Sequence, residues 1–154
     1  MGTQTEKNLQ QATFGAGCFW GAESAFQAQQ GVINSRVGFA RSSDSSSPWI
    51  EVVQVDFDPA QVSYHQLLAL FWKIHDPLSV DKQGQDVGEK YRSAVFAHSE
   101  QQASEAAQSK AALEAEKYPG KVIVTVIDTL DEFKLADEKD QQYIQKHGGS
   151  ACSI

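Results

Sequence analysis

The sequence predicts an α+β fold: a two-layer sandwich of helices on a mixed β-sheet, with a ferredoxin-like (split βαβ) core. Strand-like and helix-like segments follow one another in the approximate order β-α-β-β-α-β-α-β-α, with adjacent strand segments between helices. The length of 154 residues suits one domain, and we see no internal repeat or boundary. The hydrophobic content of 41% and the charged content of 21% are ordinary for a globular protein.

Residue patterns justify each predicted element. Ile50–Phe57 alternates β-branched with polar residues, which is the clearest strand pattern in the chain. Ser63 is a plausible N-cap, and four large residues over 67–72 form one apolar face of the helix that follows it. In chain order we predict a strand over 12–16, a helix over 19–29, a strand over 31–39, a loop over 41–47, a strand over 50–57, a helix over 63–75, a connector over 76–92, a strand over 93–98, a helix over 100–117, a strand over 122–127 and a helix over 137–146.

Composition excludes several classes of function. We expect residues 1–154 to form a single domain, with 1–10 disordered and 147–154 a flexible tail. The net charge of -7 and the lack of a basic stripe argue against nucleic-acid binding. The densest apolar run, 67–72, is too short to span a membrane, and the N-terminus is polar, so we expect a cytoplasmic protein that binds no membrane. The four histidines are scattered, which argues against a metal site.

Cys18 has the most informative position in the chain. It lies in the string Gly15–Gly21 (GAGCFWG), between a predicted strand and a predicted helix. A cysteine at such a turn faces the positive end of the helix dipole and free backbone N–H groups, which lower the thiol pKa. The residues alone leave two interpretations open: an activated nucleophile, or a buried structural cysteine, since free cysteine is among the most buried residue types.

Several further strings stand in the order and register of one known family. They are Gly17–Gly21 (GCFWG), Glu51–Val55 (EVVQV), Phe71–Pro77 (FWKIHDP), Gln83–Gly88 (QGQDVG) and Tyr91–Ala94 (YRSA). Together they resemble the signature of the A-type peptide methionine sulfoxide reductases, and the resemblance covers roughly residues 13–143. It implies thiol-dependent reduction of methionine S-sulfoxide, free or in proteins, to methionine, for the repair of oxidised proteins.

The resemblance implies four catalytic residues. Cys18 would attack the sulfoxide sulfur and become a sulfenic acid, and Cys152 would resolve it to a disulfide. Glu51 would protonate the sulfoxide oxygen, which requires that an apolar setting raise its pKa from about 4.3. Tyr91 would donate a hydrogen bond to the same oxygen. By their residue types alone, Glu51 and Tyr91 would be surface or packing residues, and Cys152 a free thiol in a tail.

The resemblance also implies how the substrate is held and how the enzyme is recycled. Phe19 and Trp20 would surround the S-methyl group, although core packing is an equally good explanation of these aromatics alone. Asp86 would accept a hydrogen bond from the substrate backbone N–H and order the long connector. Trp49, two residues before Glu51, is a hypothetical donor to the oxygen. We expect a monomer without metal or organic cofactor, which acts on methionine sulfoxide or oxidised proteins and is reduced by thioredoxin or another dithiol.

The chain departs from the family pattern just before Glu51. The family has a longer stretch there, with Asn-Pro-x-Tyr and Cys-x-Gly-x-Thr-Gly-His blocks, where this chain has only RSSDSSSPW over 41–49. The second oxygen-binding tyrosine and the histidine before the glutamate are therefore absent. Lys139-Asp140 also replaces the family's Tyr-His. Losing one of two oxyanion donors can cost roughly 10²-fold in rate, so the alternative is a weakened or inactive relative that binds sulfoxides or senses oxidants.

Overall fold

The structure is a computed structural model that describes residues 9–42 and 48–147. Residues 1–8 and 148–154 of the two predicted terminal segments lie outside the described part, whereas Gln10 already belongs to a strand. No helix in the described ranges has the length and apolar character needed to cross a membrane. The elements are β1 Gln10–Gly15, α1 Phe19–Gln27, β2 Val32–Arg41, β3 Ile50–Phe57, α2 Tyr64–Lys73, β4 Lys82–Gln83, β5 Asp86–Val87, a 3-10 helix Glu89–Tyr91, β6 Ala94–Ala97, α3 Glu100–Glu116, β7 Val126–Thr129, β8 Glu132–Leu135, a second 3-10 helix Glu138–Asp140 and α4 Tyr143–His147.

The central four strands have the ferredoxin-like arrangement. Their order is β6-β1-β3-β2, and each neighbouring pair is antiparallel. β1 and β2 are therefore parallel to each other and joined through α1, and β3 and β6 are parallel and joined through α2, which makes two split βαβ units. β7 adds to β6 in parallel and β8 adds to β2 antiparallel, giving the sheet order β7-β6-β1-β3-β2-β8. The predicted α+β class with a mixed sheet is confirmed.

The end of the chain differs most from the prediction. The sequence does not predict β8, because its pairing with β2 depends on Gly38, where a Cβ would collide with the carbonyl oxygen of Lys134. The helix predicted over 137–146 is instead a 3-10 turn followed by the short α4. Between them Gln142 has a φ of 50°, in the left-handed region, which interrupts a right-handed helix.

Strand β3 divides its side chains between the two faces of the sheet. Val53 and Val55 point into the main apolar core, which they share with residues of α1, α2 and α3. Ile50 and Val52 belong to a smaller cluster on the opposite face. Because successive strand residues alternate, Glu51 shares the face of Val53 and is directed toward the helices. A single strand thus supplies core residues and a buried carboxyl group.

Phe14 links the sheet to both crossover helices. It is fully buried on β1, and its ring centroid lies 5.0 Å from that of Phe26 on α1 and 5.1 Å from that of Phe71 on α2. Aromatic rings at this separation add about 0.5–1.5 kcal/mol beyond the burial of their surface. The contacts hold α1 in place against the sheet next to the turn that contains Cys18.

His75 joins the end of α2 to β6. Its Nδ1 lies 2.6 Å from the Phe71 carbonyl oxygen, and its Nε2 lies 2.6 Å from Ser93 Oγ, which is 2.7 Å from Thr125 Oγ1. Burial lowers the pKa of His75 to about 4, so the ring is neutral at pH 7. Nδ1–H then donates to the carbonyl, and Nε2 accepts from the Ser93 hydroxyl.

We predict that His75 makes the protein less stable as the pH falls from 6.5 toward 4. In this window the unfolded histidine binds a proton, with a pKa near 6.5, whereas the folded one, with a pKa of about 4, stays neutral. Protons therefore favour the unfolded state, by about 3 kcal/mol at full effect. Tm values between pH 4 and 8 should fall less for His75→Gln than for the wild type. His65→Gln, at an exposed position of α2, is the control, and equal losses in wild type and His75→Gln would contradict the prediction.

Candidate active site

Cys18 is the N-cap residue of α1. β1 ends at Gly15 and α1 begins at Phe19, so the predicted strand-to-helix position of Cys18 is confirmed. The residue is 8% exposed. An N-cap position at a nine-residue helix lies at the positive end of the helix dipole.

Gly17 lets the turn before Cys18 pack against the long connector. Its φ is +91°, and a Cβ at this position would lie 2.8 Å from both Cβ and Cγ of Gln83. Any side chain here would be strained by the backbone conformation and would collide with Gln83. Gln83 itself is buried, and its amide accepts from the Asp76 N–H at 2.9 Å and donates to the Asp76 carbonyl at 2.8 Å. The nucleophile turn and the start of the connector are thereby joined.

The connector over 76–92 is ordered by its own contacts. Gln83 pairs with Asp86 across the β4–β5 hairpin. The Arg92 guanidinium donates to both carboxylate oxygens of Asp81, at 2.7 and 3.2 Å, and this hydrogen bonding lowers the pKa of Asp81. Gln83 and Arg92 thus help to order the connector, and the ordering role expected for Asp86 stays a prediction.

Glu51 reaches the same place from β3. Its side chain is 8% exposed, its Oε1 accepts from the Phe19 N–H at 3.2 Å, and its Oε2 lies 3.6 Å from Lys90 Nζ. Burial raises the pKa of Glu51; the Phe19 N–H and the Lys90 charge oppose the rise, and the charge of Asp86 adds to it. Phe19 directly follows Cys18, so the carboxyl group lies at the helix end that holds the cysteine and keeps its proton to higher pH than an ordinary glutamate.

Asp86 and Tyr91 are presented near Glu51 by the connector. Both are half-buried. The Oδ2 atom of Asp86 is buried and has no hydrogen-bond partner within the described residues. Such an atom costs free energy until a donor reaches it, which suits a binding group better than a structural one. The ring centroid of Tyr91 lies 5.1 Å from Lys90 Nζ.

The two aromatic residues after Cys18 have different surroundings. Phe19 is buried, and its ring packs against that of Phe39 at 5.6 Å between centroids. The half-buried Trp20 donates its indole N–H to Asp140 Oδ1 at 3.1 Å and stacks on Tyr143 at 3.9 Å. Sequence reasoning did not predict these contacts, although Asp140 stands at one of the positions where the chain departs from the family pattern. They tie Trp20 to the C-terminal segment.

Trp49 directly precedes β3. The Arg41 guanidinium carbon is 4.6 Å from the centroid of its ring, and Arg41 also pairs with Glu132 of β8 at 2.6 Å. Trp49 is therefore held toward the β2–β8 edge of the sheet. Residues 43–47, within the segment that replaces the family's tyrosine, lie outside the described part of the chain.

The predicted resolving residue, Cys152, also lies outside the described residues. The segment leading toward it is anchored at two glutamines. The Gln141 side chain accepts from the Val37 N–H at 2.8 Å and donates to the Val37 carbonyl at 2.9 Å. The N–H and the side-chain amide of Gln142 donate to the buried Glu23 carboxylate at 2.7 and 2.8 Å. The C-terminal segment is thereby fixed to β2 and α1.

Lys90 is the site residue that sequence reasoning missed. It occupies an unspecified position of the Gln-Gly-x-Asp-x-Gly-x-x-Tyr string, so the motif gave no reason to select it. Its adjacency to Tyr91 was the available signal, because neighbours in a tight turn can face one site. Within 9–42 and 48–147, no group of three or more His, Cys, Asp or Glu residues is arranged to hold a metal ion. The described arrangement joins Cys18, a buried acid and a cation.

Comparison with known proteins gives one consistent result. The family model for peptide methionine sulfoxide reductase matches residues 10–154. Peptide methionine sulfoxide reductase MsrA 1 of Nostoc sp. is 45% identical in an alignment 152 residues long that covers 92% of this chain and 93% of the relative. The structure is similar to that of Mxr1 from Saccharomyces cerevisiae in reduced form, with a TM-score of 0.84 and 32% identity over 94% of this chain and 89% of Mxr1. Mxr1 in complex with Trx2 matches with a TM-score of 0.66 and 29% identity over 88% of this chain and 84% of that one.

We predict that Gly17→Ala destabilises the fold by more than a left-handed backbone alone explains. The conformation costs a non-glycine residue about 1–2 kcal/mol, and the collision with Gln83 adds to this. Gly120→Ala is the matched control, because Gly120 has a φ of +81° and nothing within 4 Å of its Cβ position. The free energy of unfolding in urea should fall further for Gly17→Ala. An equal loss of unfolding free energy in the two variants would contradict the prediction, because it would show that Gln83 moves aside without a cost in stability.

We also predict that Glu51→Gln stabilises the protein at high pH. The pKa of Glu51 is raised in the folded state above its ordinary value of 4.5. Its contribution to stability is therefore complete below pH 4.5 and is lost as the pH rises through the folded pKa. The Tm of Glu51→Gln should exceed that of the wild type at pH 8 and approach it at pH 4. Glu116→Gln, at an exposed end of α3, should show no such difference, and a wild type more stable than Glu51→Gln at pH 8 would refute the prediction.

Proposed function

The chain belongs to the peptide methionine sulfoxide reductase A family, and on this premise we propose that it reduces methionine S-sulfoxide, free or in proteins, to methionine. The observation that carries the proposal is the position of Glu51, a buried carboxyl group of raised pKa bonded to the N–H that follows Cys18. Reduction of a sulfoxide by a thiol needs a nucleophilic sulfur and a proton for the departing oxygen, and these two residues supply them.

In the first step Cys18 is the nucleophile and Glu51 the acid. The Cys18 thiolate attacks the sulfoxide sulfur, and the Glu51 carboxyl group transfers its proton to the oxygen. The attack forms a bond between Cys18 Sγ and the methionine sulfur. That bond and the sulfur–oxygen bond then break as the hydroxyl passes to Cys18 Sγ, which leaves methionine and a sulfenic acid on Cys18. The methionine sulfur gains the two electrons that the Cys18 sulfur loses, and Glu51 is left as a carboxylate.

The remaining predicted residues hold the substrate. Tyr91 donates a hydrogen bond to the sulfoxide oxygen, and the unpartnered Oδ2 of Asp86 accepts from the substrate backbone N–H. Phe19 and Trp20 surround the S-methyl group. The burial of Phe19 and the fixed orientation of Trp20 against Asp140 support this assignment, since a cage needs rigid walls.

Recycling uses the second of the chain's two cysteines. The Cys152 thiol attacks the sulfenic acid on Cys18, which forms a disulfide and releases water. Thioredoxin or another dithiol then reduces the disulfide. The existence of a complex of Mxr1 with Trx2 supports thioredoxin as the reductant. The anchoring of Gln141 and Gln142 to β2 and α1 supports the assignment of Cys152, because it holds the start of the tail against the helix whose N-cap is Cys18. The monomeric state and the cytoplasmic location stay predictions.

We predict about one methionine per chain when the pre-reduced protein reacts with a methionine S-sulfoxide peptide without added reductant. Cys152→Ser should also form about one methionine per chain, with Cys18 left as a trapped sulfenic acid. Cys18→Ser should form none. With thioredoxin present, only the wild type should continue past the first turnover. Glu51→Gln should slow the single turnover by about 10²–10⁴-fold, because the proton donor is lost.

The control and the contradicting outcome are both available in the same assay. Glu116→Gln removes an exposed carboxylate at the end of α3 and should react at the wild-type rate. If the peptide binds and no methionine forms, the proposal fails and the interpretation as a sulfoxide-binding module replaces it.

A further inference from the structure

The proposed chemistry leaves one hydrogen-bond donor to the sulfoxide oxygen unassigned. The sequence lacks the second oxygen-binding tyrosine of the family, since the segment over 41–49 replaces the stretch that carries it. Negative charge on the oxygen grows as Cys18 attacks, until the proton of Glu51 arrives. A donor placed at that oxygen lowers the barrier by stabilising the charge.

The carboxyl group of Glu51 defines where the sulfoxide oxygen must lie. Its Oε1 accepts the Phe19 N–H at 3.2 Å, which leaves Oε2 to carry the proton. A proton transfer from Oε2 requires the sulfoxide oxygen within about 2.6–3.2 Å of that atom. Lys90 Nζ is 3.6 Å from the same Oε2. An oxygen placed to take the proton can therefore also lie within hydrogen-bond distance of the Lys90 ammonium.

We propose that Lys90 is a further catalytic residue, whose ammonium group donates a hydrogen bond to the sulfoxide oxygen in place of the absent tyrosine. The inference rests on the proposed function. An ammonium group has three donors and no acceptor, so it can face the Glu51 carboxyl with one N–H and the sulfoxide oxygen with another. The Lys90 side chain is 54% exposed, which places it at the open side of the site where a substrate enters.

The charges around Glu51 agree with this role. Lys90 faces it from the 3-10 helix and Asp86 from β5, while the Phe19 N–H faces it from the start of α1. Burial lowers the pKa of Lys90, but the neighbouring Tyr91 and Glu51 raise it above its usual value, so the group is an ammonium at neutral pH. The cation stabilises both the developing oxyanion and the carboxylate that Glu51 becomes after it gives up its proton.

Trp49 is less well placed for the same task. Its ring lies against the Arg41 guanidinium, which is bound in turn to Glu132 of β8. The described contact of Trp49 is thus with the edge of the sheet, whereas Lys90 contacts the proton donor itself.

The test is the single-turnover rate of the peptide reaction for Lys90→Gln, measured as a function of pH. At low pH, where Glu51 is protonated, the rate should fall by about 10²-fold, and Lys90→Arg should recover most of it. The fall in rate at alkaline pH should also move to higher pH in Lys90→Gln, because the cation no longer favours ionised Glu51. A merely structural role would not move this pH profile.

Lys117→Gln is the matched control. Lys117 Nζ lies 5.5 Å from the ring centroid of Tyr118, the same lysine–tyrosine arrangement, but at the end of α3 and outside the described site. It should react at the wild-type rate.

Three outcomes would overturn the inference. An unchanged rate in Lys90→Gln shows that Lys90 makes no contact with the oxygen, and a fall confined to Trp49→Phe assigns the donor to Trp49. A shifted pH profile with an unchanged low-pH rate shows that Lys90 only tunes Glu51. A wild type that forms no methionine is distinguishable from all three, because it overturns the proposed function itself.

Discussion

The hydrogen bond from the Phe19 N–H to Glu51 is the contact on which the site depends. It joins the first turn of α1 to the start of β3, and so brings together residues that are far apart in the chain. The same helix end serves Cys18 and the carboxyl group, and both compete for its positive potential. The bond opposes the rise in the pKa of Glu51 that burial produces, and burial prevails. The acid therefore keeps its proton to higher pH than an ordinary glutamate, although the helix dipole favours its ionised form.

The parts of the fold that local patterns determine could be predicted. β3 was recognised by alternation, and α2 by its apolar face and by Ser63, which the structure shows in a capping box with Gln66. β8 could not be, because its pairing depends on the close approach that Gly38 allows across the sheet. The left-handed backbone of Gln142 is likewise set by its bonds to Glu23, which no local pattern encodes.

The residues of the site divide in the same way, into those that local patterns reveal and those that only the folded chain brings together. Motif strings identified Cys18 and Glu51, and the structure shows how strand parity and a helix terminus place them together. Lys90 and Asp140 escaped because their partners, Glu51 and Trp20, are distant in sequence and become neighbours only in the folded chain. Both stand at positions that the family strings leave open or that depart from them.

The C-terminal segment is attached mainly by polar contacts, such as those that Gln141 and Gln142 make to Val37 and Glu23. A segment held in this way can open at a lower free energy than the sheet, because its detachment exposes little of the apolar core. The line of these contacts runs along α1 and β2 and reaches the Trp20–Tyr143 stack. Opening along that line would release the end of the chain while leaving Phe14 and its neighbours packed. In this architecture, a protein reductant can gain access to the C-terminal segment without any unfolding of the apolar core.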